Sequence, residues 1–271
     1  MDNRPIGVFD SGLGGLTAVR QLLRIMPDQP IVFFGDTARL PYGSRSREAI
    51  IRYARQDISF LRTFDIKLIV AACGTVSTTA LDDIVPDADV PIIGVVRPSA
   101  RKAASLSRGG RIGVIGTAAT IRSGAYERAL LEISPSLSVT SIACPLFVPL
   151  VENGRYDPGD IVVKTIVSEY LAPLAEKNVD TLILGCTHYP LLYDAISGFL
   201  GPDVALVDSG SACAGDVMEH LAAADMLCGS GGGRGCSFYV SDSVDNFSSL
   251  ASIFLGWDVS SKVQQVDITS Y

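Results

Sequence analysis

The chain has 271 residues, of which 48% are hydrophobic and 19% are charged. This length can form one large α/β domain or two of about half the size, and the composition excludes a disordered chain. Because 29 Asp and Glu outnumber 22 Lys and Arg, the net charge of −7 disfavours binding to nucleic acid or to an anionic membrane. No run approaches the ~18 apolar residues of a membrane span, and the polar start has no signal-peptide pattern, so we expect a cytoplasmic protein.

Short apolar runs rich in β-branched residues alternate with polar turns and helical patterns along the chain. This alternation predicts parallel sheets that are covered by helices on both faces. The predicted strands are 6–9, 31–34, 66–71, 91–95, 111–115, 139–143, 179–184, 204–207, 236–240 and 262–268, and the predicted helices include 16–25, 48–64, 74–81 and 244–255. The glycine-rich stretch 227–235 lacks the end of a phosphate-binding loop and is predicted to be a surface turn.

The six cysteines form no CxxC pair, so a zinc site at the usual ligand spacing is not expected. Two of them, Cys73 and Cys186, lie in segments that repeat at an offset of 113 residues, 65–75 and 178–188. Each cysteine falls where a buried strand ends and a helix begins, which is where parallel sheets bind ligands. Two such halves facing each other would place both thiols in one cleft, although a coincidental likeness of two βα units is the alternative.

Cys73 is followed by Gly74 and Thr75, and Cys186 is followed by Thr187 and His188. A thiol at a helix start is favoured as a thiolate, and the neighbouring N–H groups and hydroxyls can hold an anion. A buried core cysteine is the alternative for either position. Glu152 is interpreted either as a solvated charge at a helix end or as a buried acid partner of His188.

The loop DSGLGG at 10–15 follows the first predicted strand and opens a helix. Its glycines permit a close backbone approach, and Asp10 can orient an ammonium group or accept a proton. Helix capping by Asp10 and Ser11 is the alternative. The spacing is not GxGxxG, so a dinucleotide site is not expected.

Six blocks carry a resemblance to a known family: IGVFDSGLGGLTAV (6–19), FGDTARLPYGSRS (34–46), AACGTVSTTAL (71–81), GVIGTAATIRSGAY (113–126), CPLFVPLVENG (144–154) and LILGCTHYPLL (182–192). Together they resemble glutamate racemases of the aspartate/glutamate racemase superfamily. The blocks occur in the right order over nearly the whole chain. DSGLGG, PYG and GCTHYP are the most specific parts.

The resemblance implies two pseudo-symmetric three-layer α/β domains with mainly parallel sheets, residues 1–96 plus 210–271 and residues 97–209, with the active site in the cleft between them. It implies interconversion of L- and D-glutamate without a metal or other cofactor, supply of D-glutamate for peptidoglycan, and a homodimer. The implied catalytic residues are Cys73, Cys186, Asp10, His188 and Glu152. The implied substrate-binding residues are Asp10, Ser11, Tyr42, Gly43, Gly74, Thr75, Thr187 and His188.

Gly74 departs from the family pattern, in which asparagine follows the first catalytic cysteine. The absence of the asparagine side chain removes roughly 1–3 kcal/mol of hydrogen bonding, unless a water or a closer backbone approach replaces those bonds. We therefore expect Gly74→Asn to lower KM or leave it unchanged. The remaining alternatives are a racemase for aspartate or another amino acid, and a glutamate-binding protein with weak turnover.

Overall fold

The computed structural model describes residues 1–229 and 235–271, so 230–234, most of the predicted glycine-rich turn, lie outside the described residues. Within these ranges the strands form two parallel sheets, which confirms the α/β fold class. The strands are β1 (Ile6–Asp10), β2 (Ile31–Gly35), β3 (Leu68–Ala71), β4 (Ile92–Gly94), β5 (Arg111–Gly116), β6 (Ser138–Ala143), β7 (Thr181–Leu184), β8 (Ala205–Asp208), β9 (Cys236–Val240) and β10 (Val263–Gln265).

Helices follow most of these strands and cover both faces of the sheets. They are α1 (Leu16–Ile25), α2 (Arg47–Leu61), α3 (Gly74–Thr79), α4 (Leu81–Ile84), α5 (Val96–Leu106), α6 (Ala118–Ser123), α7 (Ala125–Ile133), α8 (Phe147–Glu152), α9 (Ile161–Glu176), α10 (Tyr193–Leu200), α11 (Ser209–Ala223) and α12 (Val244–Leu255). In the described part of the chain, none of them is long and apolar enough to cross a membrane.

Several predicted elements are shorter than expected, and for two of them the structure shows where and how they end. The predicted strand 262–268 is paired only over Val263–Gln265, because the Asp267 carboxylate accepts from the Thr269 N–H and starts a 3₁₀ turn. The predicted helix 74–81 is interrupted at Ala80, where α3 ends and α4 begins.

The two sheets share a strand order. The first runs β10-β9-β2-β1-β3-β4 and the second β6-β5-β7-β8, with every neighbouring pair parallel. The order β2-β1-β3-β4 thus recurs as β6-β5-β7-β8, and β3 and β7 are the two strands of the repeat seen in the sequence. In the first sheet β2 lies on one side of β1 and β3 on the other, and in the second sheet β6 and β7 flank β5 in the same way. Parallel sheets bind ligands at such a point, where the strand order reverses.

The central strands β1, β2, β3 and β7 are buried along their whole length, as their uninterrupted apolar runs predict. The first sheet takes its strands from residues 6–94 and 236–265, and the second from 111–208. Helix α11 packs against both α1 and α5. The division into two domains near residues 96 and 209 stays a prediction.

Candidate active site

A cavity of about 430 Å³ lies where the strand-ending loops of the two sheets meet. Cys73, two residues after the end of β3, and Cys186, two residues after the end of β7, both line it. Every other candidate site residue except Asp10 lines the same cavity: Ser11, Tyr42, Gly43, Gly74, Thr75, Glu152, Thr187 and His188. The structure therefore brings the candidate residues of both halves together.

The loop after β1 can lie against the loop after β7 because it has glycine at position 14. A Cβ added at Gly14 would lie 2.1 Å from Thr187 Oγ1 and 2.6 Å from His188 Nδ1. The Thr17 hydroxyl donates to the carbonyl oxygens of Gly14, at 2.8 Å, and Thr187, at 3.0 Å. These contacts hold the two loops against each other beside the cavity.

At the first thiol, the Cys73 Sγ donates to the Ser11 hydroxyl at 3.4 Å. Behind it, the buried Asp10 accepts from the N–H groups of Gly12, at 3.2 Å, and Gly15, at 3.0 Å, through Oδ2. Its Oδ1 is buried and has no hydrogen-bond partner within residues 1–229 and 235–271. Burial raises the pKa of Asp10, and burial together with the Asp10 charge raises the pKa of Cys73 to about 12. In the free protein this thiol is therefore protonated at neutral pH, next to a carboxyl group that can take up its proton.

At the second thiol, the Cys186 Sγ lies 3.9 Å from His188 Nδ1. The other ring nitrogen, Nε2, lies 3.0 Å from Glu152 Oε1, so Glu152 is in contact with the imidazole rather than free in solvent. Burial lowers the pKa of His188, but the hydrogen bonds with Cys186 and Glu152 outweigh burial and raise this pKa to about 10. An imidazolium therefore lies between the thiol and the carboxylate at neutral pH.

The side chain of Tyr42 takes part in a buried ionic network instead of facing a ligand. Its hydroxyl donates to the carboxylates of Asp36 and, at 3.2 Å, Asp57. Arg39 pairs with both carboxylates, at 2.5 Å and 3.0 Å. The hydroxyl is committed to this network, so a ligand contact from Tyr42 is left to its backbone. The network anchors residues 40–44, which line the cavity.

Sequence reasoning missed Thr117 and Cys144, which also line the cavity. The Thr117 hydroxyl lies 3.2 Å from that of Thr75 in the other half. Thr117 directly follows β5, the counterpart of β1, so its position relative to Ser11 was the signal that could have found it. Cys144 follows β6 and is fully buried, and burial raises the pKa of its thiol.

The described lining contains no Lys or Arg, so the positive charge at the cavity is that of His188. Within the described residues, no group of three or more His, Cys, Asp or Glu side chains could hold a metal ion. An anionic ligand would be held by hydroxyls, backbone N–H groups and the imidazolium. Two thiols, each with an acid–base partner, can remove and deliver protons.

A side chain at position 74 does not fit without a backbone shift, and the expected effect of Gly74→Asn on KM stays a prediction. A Cβ added there would lie 2.4 Å from the carbonyl oxygen of Gly185, which is a backbone atom. The backbone beside Cys73 therefore lies directly against the backbone beside Cys186.

Comparison with known proteins gives a consistent family. Residues 15–217 match Asp/Glu/Hydantoin racemase. A glutamate racemase of Geobacter metallireducens is 44% identical over 253 residues, covering 93% of each chain. Solved structures of glutamate racemases from Bacillus anthracis and, in complex with D-glutamate, Francisella tularensis both give a TM-score of 0.92. Their identities are 38% and 37%, over 98% and 100% of both chains. The resemblance seen in the sequence is confirmed, and the chain belongs to the Asp/Glu/Hydantoin racemase family.

Proposed function

We propose that this protein interconverts L- and D-glutamate by proton transfer at Cα between two thiols, those of Cys73 and Cys186. The observation that carries the proposal is that both thiols line one cavity, where Cys73 interacts with the buried carboxyl of Asp10 and Cys186 lies 3.9 Å from His188 Nδ1. Glutamate as the substrate is supported by relatives named glutamate racemase, one of them in complex with D-glutamate.

Racemisation requires that a proton leave one face of Cα and that another reach the opposite face. One cysteine, as a thiolate, takes the proton while the electron pair of the broken C–H bond stays on the carbanion. The opposite thiol then donates its proton to Cα and becomes a thiolate, and the roles exchange with direction. Following the positions in the motif, we assign deprotonation of D-glutamate to Cys73 and of L-glutamate to Cys186.

The two bases are activated by different groups. We assign to Asp10 the uptake of the Cys73 proton, because burial raises the pKa of this carboxyl and its Oδ1 has no hydrogen-bond partner in the described chain. At the other end, the His188 imidazolium supplies a positive charge 3.9 Å from the Cys186 sulfur. Glu152 holds the imidazole in this orientation.

The charge that develops on the substrate is stabilised by groups already in place. Four residues with hydroxyl side chains, Ser11, Thr75, Thr117 and Thr187, line the cavity from loops of both halves. Fixed donors of this kind are effective stabilisers of a carbanion next to a carboxylate. Neutral hydrogen-bond donors can hold a dianion without a positively charged surface, so the net charge of −7 does not exclude such a substrate.

A chiral assay of glutamate, aspartate and glutamine tests the proposal. We expect either enantiomer of glutamate to be converted into an equal mixture, and a Cys73→Ser/Cys186→Ser double variant purified in parallel controls for contaminating racemases. Faster conversion of aspartate would contradict glutamate as the substrate. Calorimetric binding of glutamate without any conversion would show a binding protein instead.

We further propose that the D-glutamate formed is used for peptidoglycan, as the resemblance implies. Expression of the chain in a bacterium that requires D-glutamate for growth should remove that requirement. The double cysteine variant should not, and growth with that variant would contradict the proposal.

A further inference from the structure

Two glycines, each next to one of the two cysteines in the chain, lie in contact. Gly74 directly follows Cys73, and Gly185 directly precedes Cys186. A Cβ added at Gly74 would lie 2.4 Å from the carbonyl oxygen of Gly185 and 3.4 Å from its carbonyl carbon. Real Cβ atoms essentially never come within 3.0 Å of another heavy atom, so a side chain at 74 requires one backbone to move.

Neither backbone is free to move. The Gly185 N–H donates to the Ile115 carbonyl at 2.8 Å, and a Cβ at Gly185 would itself lie 2.7 Å from that oxygen. On the other side, the Gly74 carbonyl accepts from the Thr78 hydroxyl at 2.8 Å within α3. The backbone at Gly74 does not have a positive φ, so glycine is needed for space and not for its conformation.

We infer that Gly74 is a positioning residue that sets the separation of the two thiols. Its missing side chain lets the backbone beside Cys73 lie directly on the backbone beside Cys186, and this contact fixes how closely the two sulfurs approach a substrate carbon between them. The inference rests on the proposed racemase function. It also gives a physical reason for the departure from the Cys-Asn-Thr pattern, because asparagine requires the two loops to lie further apart.

Widening the contact should impair proton transfer more than binding. A misplacement of ~1 Å at a reacting centre can cost ~10²-fold in rate, and a Cβ at 74 requires a shift of several tenths of an ångström. We expect Gly74→Ala to lower kcat about 10-fold in both directions and Gly74→Asn to lower it further, with a smaller change in KM.

The partition between exchange and inversion separates positioning from general damage. With the thiols too far apart, one cysteine still removes the α-proton, but the opposite one delivers its proton less often. The first thiol then exchanges its proton with D₂O and returns deuterium to the same face of the carbanion. In D₂O, Gly74→Ala should therefore raise deuterium uptake into the starting enantiomer relative to the inverted product. A loss of folded protein instead lowers deuterium uptake into the starting enantiomer and into the inverted product in the same proportion. A wild-type kcat and an unchanged partition in Gly74→Ala would overturn the inference.

Gly198→Ala is the matched control, because Gly198 is an exposed helical glycine whose added Cβ meets nothing within 4 Å. It should keep wild-type kinetics and, through better helix propensity, an equal or higher Tm. Gly74 also lies in a helix, but its contact should make Gly74→Ala lower the Tm by roughly 2–4 °C. The Tm can be measured whether or not the protein racemises glutamate. A higher Tm in Gly74→Ala overturns the inference. A wild-type protein that does not racemise glutamate overturns the proposed function alone.

Discussion

The two thiol sites occupy equivalent places in a repeated strand order, yet their surroundings differ. Cys73 follows β3 and lies near the buried carboxyl of Asp10, which helps to raise its pKa. Cys186 follows β7 and lies beside His188, which is paired with Glu152. The repeat thus supplies two equivalent positions for sulfur, but the neighbouring titratable group lies at the end of β1 for Cys73 and in the same loop as the cysteine for Cys186. A symmetric scaffold can in this way carry asymmetric acid–base chemistry.

Removing either sulfur is the most severe test of the comparison. Cys73→Ser and Cys186→Ser should each reduce racemisation about 10³-fold, since a positioned acid or base contributes ~10²–10⁴-fold and a hydroxyl is a far weaker acid than a thiol. A chiral assay in both directions measures the loss. Cys228→Ser, outside the cavity lining, is the control and should keep full activity. Retention of the wild-type rate by either cavity variant would refute the two-thiol assignment.

Changing the proton partners sharpens the comparison. Asp10→Asn and Glu152→Gln should each lower kcat by about 10- to 100-fold, less than loss of a thiol. Because the two enantiomers have equal free energy in solution, kcat/KM must fall equally in both directions for each variant. The difference between the ends should appear in kcat, which falls more with D-glutamate for Asp10→Asn and more with L-glutamate for Glu152→Gln. The same directional pattern in both variants would contradict the assignment.

The pH dependence of stability tests the imidazolium at the Cys186 end. The pKa of His188 is raised to about 10, above the value of about 6.5 expected in the unfolded chain. Its stabilisation is therefore fully present below about pH 6.5 and is lost as pH rises through about 10. Denaturant titrations of the wild type and His188→Asn should show that the stability difference between them shrinks over this window. A difference that is constant or grows with pH would contradict the raised pKa.

The smallest effect on catalysis is expected from the network behind Tyr42. Tyr42→Phe removes a hydroxyl from two buried carboxylates, Asp36 and Asp57, and should cost roughly 1–3 kcal/mol of stability. The kinetic constants should change only a few-fold, because a ligand contact from Tyr42 is left to its backbone. Tyr193→Phe, at an exposed tyrosine, is the control for both measurements. A tenfold rise in KM at unchanged stability would instead place the Tyr42 hydroxyl on the substrate.

The sequence predicted the two sheets and the placing of Cys73 and Cys186 in one cleft, because both depend on local signals. Buried strands leave continuous apolar runs, and the segments around Cys73 and Cys186 repeat each other. The contact of Gly74 with Gly185 and the direction of the Tyr42 hydroxyl depend instead on residues far away in the chain. No local pattern reports how closely two backbones approach, which is why the sequence did not predict the contact of Gly74 with Gly185. The domain boundaries and the homodimer stay predictions.

Deuterium incorporation by the wild-type protein tests most directly that two thiols act on opposite faces of one carbon. L-glutamate is incubated with the protein in D₂O, the two enantiomers are separated at early times, and the deuterium content of each is measured by mass spectrometry. The account predicts deuterium at Cα in the D-glutamate formed and protium in the L-glutamate that remains. Deuterium appearing equally early in the starting enantiomer, or protium retained in the product, would contradict it.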